Sequence, residues 1–129
     1  MNAATNSKIK QEQKAAWIGD AVLGLFVREW IVNNHGALDG EQFTRFTSND
    51  SLAAIGNPTA VEAAIGAKYS QLGLQAAFLH IETQIMPHLE KRERVFQKAQ
   101  VQRAGAKSKK SKRTRWKKAM GLTRAAPNH

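Results

Sequence analysis

Trp17-Ile18-Gly19-Asp20-Ala21-Val22 and Asn57-Pro58-Thr59-Ala60-Val61-Glu62-Ala63-Ala64-Ile65-Gly66 are the stretches whose reading decides the fold. Each sets one carboxylate, Asp20 or Glu62, into a run of small and apolar residues with the character of a buried helix. A buried acid is costly unless a metal, a cation or several hydrogen bonds compensate it. Two such acids in one chain point to tertiary packing that joins them around a shared cation. Gly19 and Gly24 on the first helix and Gly66 on the second each cost about 1 kcal/mol against Ala in a helix interior. Close approach of two helices is the return that these glycines imply. Gly66 lies one turn beyond Glu62 and Tyr69 two turns beyond, so the three share a face.

Outward from these motifs the pattern is helical throughout. Residues 1–8 have the composition of a frayed end, and helix is expected from about Ile9 to Val32. On a helical wheel that segment is apolar in nearly every direction, with polar positions confined to Asp20, Arg28 and Glu29. Such a helix needs cover on all sides, either inside a bundle or at a subunit interface. Asn33–Gly40 reads as a turn, and Asp39 with Gln42 has capping-box spacing for a short helix through Phe46. Ser48 or Asn49 can cap a further short helix, Asp50–Ile55, which Gly56 stops. Asn57 followed by Pro58 is a start signal for a helix to about Gln71, ended by Gly73. Leu74–Met86 is amphipathic, with Phe78, Ile81 and Ile85 on one face. Pro87 ends or kinks it, and Leu89–Arg103 resumes as a charged helix. No strand pattern and no internal repeat is present. The fold class expected is all-α.

The 129 residues suffice for one modest core, and the absence of Cys excludes disulfides and thiolate metal sites. Met1–Lys14 lacks the apolar core of a signal peptide. Ala15–Val32 carries Asp20, Arg28 and Glu29, too polar and too short to span a bilayer. A soluble, cytoplasmic protein with no membrane partner is the expectation. Charge is strongly uneven: residues 1–90 hold 6 Lys/Arg and 9 Asp/Glu, whereas residues 91–129 hold 14 and 1, so net charges of −3 and +13 make up the total of +10. The cationic segment implies a polyanionic partner, with nucleic acid ahead of anionic membrane. From Gly105 onward the chain is too poor in apolar residues to fold alone. A helical domain over 9–104 followed by a basic, disordered tail over 105–129 is therefore expected. Within the tail Lys107, Lys109, Lys110, Lys112, Arg113, Arg115, Lys117 and Lys118 supply charge, and Trp116 is a stacking platform for a base. Neutralising roughly six phosphates would make RNA affinity fall about a thousandfold between low and moderate salt.

The run Ile18-Gly19-Asp20-Ala21-Val22-Leu23, together with Val61-Glu62-Ala63-Ala64-Ile65-Gly66-Ala67-Lys68-Tyr69 and the later Gly73, resembles the catalytic domain of the ribonuclease III family. The likeness extends more weakly from about Ala15 to Glu90. Ordinary members carry two further acids, four positions before the Asp and three before the Glu, where this chain has Ala16 and Thr59. The Mini-ribonuclease III subgroup has a similar pattern and no separate double-stranded-RNA-binding domain, so the resemblance is closest to that subgroup. It implies an all-helical homodimer that cleaves double-stranded or structured RNA with Mg²⁺ (or Mn²⁺), often in ribosomal RNA maturation. By position it makes Asp20 and Glu62 the catalytic, metal-binding pair. The segment between the two motifs is shorter than in typical members, so family residues there do not carry over.

Blander readings stand beside these. Asp20 could be a salt-bridged acid with Arg28 as partner, and Glu62 alone would be an ordinary solvated helix residue. Trp17 and Trp30 are most simply core or dimer-interface residues. His35, His80, His88 and His129 have no metal-ligand spacing. A function of another class, a non-catalytic RNA-binding dimer associated with the ribosome or its assembly, shares the fold and the tail. The two motif acids favour the enzyme, because a pure binding module has no need of them.

Overall fold

A computed structural model describes residues 3–119, with side chains described for residues 5–105. The described residues form helices and no strand: α1 (Ala3–His35), α2 (Gly40–Thr47), α3 (Asn49–Ala53), α4 (Pro58–Leu72), α5 (Leu74–His80), a π turn (Ile81–Ile85) and α6 (Met86–Ala119). The all-α expectation holds. The chain divides into a body through Glu93 and a segment from Arg94, each considered by itself.

Local chemistry sets the element ends. The Asp39 side chain accepts from the Gln42 amide at 3.0 Å, Ser48 accepts from the Ser51 amide at 3.2 Å, and Asn57 accepts from the Ala60 amide at 3.1 Å. Each satisfies an amide at a helix start that has no partner within its helix. Pro58 takes the first position of α4, and Gly73 closes that helix with φ +92°, a backbone state that favours glycine. The junction at Pro87 departs from a simple kink. Pro87 has no amide hydrogen, and its ring would clash with the Thr83 carbonyl in a regular helix. Widening the preceding turn avoids the clash, and the Met86 amide reaches back to the Ile81 carbonyl in π fashion.

The body is organised around α1. Val22, Leu23, Val27 and Ile31 enter the core from α1, joined by Phe46, Leu52, Ile65, Ala77, Ile81, Ile85, Met86 and Leu89 from the later elements. The tightest contact is between α1 and α4. A Cβ on Gly19 would lie 1.7 Å from the Glu62 carbonyl oxygen, and one on Gly66 would lie 1.9 Å from the Ala15 carbonyl oxygen. The two backbones therefore touch, and the reversed order of the contacts makes the helices antiparallel. This is the close approach expected of Gly19 and Gly66. Gly24 differs: its neighbours are the Arg28 guanidinium tip and Phe43 of α2.

α1 starts at Ala3, earlier than the frayed 1–8 of the sequence reading; Ala3, Ala4 and Lys8 are good helix formers, and neither Gly nor Pro interrupts the stretch. At the other end, α6 is helical to Ala119, where the sequence predicts a disordered tail from Gly105. Lys and Arg, both good helix formers, fill eight of the positions 105–119, and the stretch holds no Pro, so local propensity favours helix even without a core. The expected RNA-contacting side chains Lys107, Lys109, Lys110, Lys112, Arg113, Arg115, Trp116, Lys117 and Lys118 lie outside the described residues. No described helix is long and apolar enough to cross a membrane.

The crossing yields a graded prediction. Gly19→Ala or Gly66→Ala should each destabilise the body by about 3 kcal/mol or more, because backbone must move. Gly24→Ala should cost much less, since a flexible Arg28 tip can yield. Gly105→Ala, with open space around it, should gain about 0.5–1 kcal/mol of helix stability. Urea midpoints of the four variants test the ranking.

Candidate active site

The backbone contact at Gly19 fixes where the neighbouring side chains go. Gly19 seats against the Glu62 carbonyl, so Asp20, the next residue, is carried to the same level of α4. The Asp20 and Glu62 carboxyl groups come close enough to interact both by charge and by a hydrogen bond. The two acids that the sequence pairs are thus brought together.

Their exposure differs from the expectation. Asp20 is exposed and Glu62 is half-buried, so Asp20 is not the buried acid that its apolar wheel sector suggests. The reason is steric. Ala16, one turn before, offers only a methyl, and Gly19 and Gly66 carry no side chain to roof the site. Nor does Asp20 pair with Arg28. The Arg28 guanidinium lies over Phe43 instead, 4.1 Å from the ring centroid.

The electrostatics carry the mark of crowded anions. Glu62 is pushed up to about 7, first by burial, then by the negative charge of Asp20 and by a hydrogen bond to it that favours the protonated form. A cation placed between the two oxygens would remove this penalty. Mg²⁺ takes one or two carboxylates and fills its remaining positions with water and phosphate oxygens. An exposed Asp20 beside a half-buried Glu62 offers that donor set on a face open to a phosphate. No group of three or more His, Cys, Asp or Glu that could hold a metal occurs among the described residues. The site is a pair, with Ala16 one turn before Asp20 and Thr59 three positions before Glu62.

Around it, Trp17 is 78% exposed on α1, which excludes it from the core. Trp30 is half-buried, packed on Phe46 with ring centroids 5.3 Å apart. His80, on α5, has its imidazolium disfavoured by burial and by the charge of Lys68.

One ionic cluster escaped the sequence reading. Glu93 binds Arg45 through two bonds, of 2.7 and 3.1 Å, and accepts from the buried Gln42 at 3.3 Å; Gln42 in turn meets the His35 ring at 2.8 Å. The cluster ties the start of α6 to α2 and the end of α1. Its one sequence signal is that Glu93 is the single acid in residues 91–129.

No protein-family model, curated protein or solved structure matches the chain.

The pair makes stability fall with rising pH. With Glu62 raised to about 7 in the folded chain, the folded state keeps a proton that the unfolded state has released, from the ordinary carboxyl pKa up to that value. Stability is lost across this window as pH rises. Glu62→Gln should therefore be neutral below the window and more stable by roughly 1 kcal/mol at pH 8, after allowance for solvent screening at a half-exposed group. Thermal midpoints of the two proteins at pH 4 and pH 8 should diverge accordingly; parallel midpoints would contradict it.

Proposed function

We propose that this chain is a Mg²⁺-dependent endoribonuclease acting on double-stranded or structured RNA, of the ribonuclease III kind, and that it works as a homodimer. The observation that carries the reading is the meeting of Asp20 and Glu62 across the glycine crossing. Bound there, Mg²⁺ would supply an activated water and positive charge against the phosphate. The protein's own share is positional. Gly19 and Gly66 hold the carboxylates at one level, and exposed Asp20 turns the site toward incoming substrate. The net charge of +13 over residues 91–129 supports an RNA partner. It would give affinity through phosphates and leave selectivity to the body. Ribosomal RNA maturation in the cytoplasm is the setting the motif resemblance favours.

The dimer reading draws on α1. Trp17, Ile18, Leu25 and Val32 fall within one sector of that helix and are all exposed in the single chain. A helix apolar nearly all round is thus covered by its own body on only part of its surface, and a second copy would cover the remainder.

A second reading, a non-catalytic RNA-binding dimer, is favoured by the small donor set, two carboxylates with no third metal ligand among the described residues.

Purified protein with double-stranded RNA and Mg²⁺ separates the two readings. Cleavage should require the ion and fall by at least about a hundredfold in Asp20→Asn and Glu62→Gln, since losing a metal ligand itself costs at least as much as losing a group that only orients one, about 10–100-fold. Tight binding without cutting, or cutting retained in both variants, would overturn the enzyme. Sedimentation at micromolar concentration should give twice the 14.3 kDa chain mass, and Trp17→Ser should shift it toward one; a monomeric wild type would defeat the dimer.

A further inference from the structure

A recess lies away from the carboxylate pair, between α1 and the π turn with the start of α6. Its volume is about 140 Å³, and Phe26, Trp30, Glu82, Met86, Pro87 and Glu90 line it. Phe26 and Trp30 stand one turn apart on α1. Glu82, Met86 and Glu90 stand on successive turns of the opposing helix, so the recess has an apolar floor with an acid at each end. Other contacts fix its aromatic wall: Phe26 meets Phe78 edge-on at 5.2 Å, and Trp30 packs on Phe46. Met86 is buried, Glu90 is half-buried and Glu82 is exposed. Neither acid forms an ion pair among the described residues.

The lining decides the chemistry of an occupant. Two uncompensated carboxylates repel phosphate, so this face does not share an RNA partner with the basic segment. A wholly apolar group would leave both acids beside it without a partner. A cation on an apolar stem satisfies both parts: the stem lies along Met86 and Pro87, and the head reaches a carboxylate. Between the two basic side chains the aromatic wall favours guanidinium, which is planar, weakly hydrated and able to pack against rings. The recess has the volume of about four or five water molecules, room for one such side chain.

We propose that this recess is a docking site for an arginine side chain presented by a basic protein partner. It is independent of the nuclease reading, since none of its residues belongs to the Asp20–Glu62 pair.

The probe is acetyl-Gly-Arg-Gly-amide added to the full-length chain, read on the Trp30 indole N–H resonance, with acetyl-Gly-Glu-Gly-amide as control. The arginine peptide should give a saturable shift that the glutamate peptide does not. In the Glu82→Gln, Glu90→Gln double variant its binding should weaken by at least about tenfold, while the melting temperature stays as in the wild type. No saturable shift in the wild type, an equal response to the glutamate peptide, or unchanged binding in the double variant would each overturn the proposal. Glu82 and Glu90 lie outside the core, so the variant should fold; the Glu90→Gln single variant, read in the same titration, keeps the test open if it does not.

Discussion

Two helix backbones meeting with no side chain between them is the constraint on which this body depends. At Gly19 and Gly66 even a methyl group would overlap a carbonyl of the facing helix, so α1 and α4 have one register and little freedom to slide. That register places Asp20 level with Glu62. Repulsion between the acids opposes the contact, and burial of Leu23, Val27 and Ile65 around it outweighs that repulsion. The folded chain therefore tolerates a carboxyl raised to about 7 as a consequence of how its helices pack. Perturbed groups held in this way cluster at functional sites, which is why the pair ranks above any other group on the described surface.

Features with local causes were legible in the sequence. Asp39, Ser48 and Asn57 cap the helices they precede, and Gly73 ends α4, because each effect acts within a few residues. The pairing of Asp20 with Glu62 is long-range, yet it too was legible, since glycines inside helices have few uses other than close approach. What the sequence concealed depends on cover from elsewhere. Asp20 sits in an apolar sector of its wheel, and only the packed body shows that its neighbours are too small to bury it. Trp17 has the composition of a core residue but lies outside, where the body ends. The Arg45–Glu93 bridge joins residues 48 positions apart, and no periodicity announces it. The π turn before Pro87 is a middle case: proline predicts a disturbance, while its form follows from the need to keep Ile81, Ile85 and Leu89 in one core.

Charge is partitioned along the chain as well. The body is slightly acidic, and four of its carboxylates fall at two separate places, the Asp20–Glu62 pair and the recess between Glu82 and Glu90. The cations are concentrated from residue 91 onward.

The most direct test of the account is the titration of the Glu62 side-chain carboxyl carbon by NMR, first alone and then with millimolar Mg²⁺. The expected result is a midpoint near 7 without the ion, dropping toward or below the ordinary carboxylate range with it, as a cation between the two oxygens removes their repulsion. A Glu62 that titrates as an ordinary carboxyl from the start, or one whose midpoint ignores Mg²⁺, would contradict the claim that the glycine crossing builds a cation site.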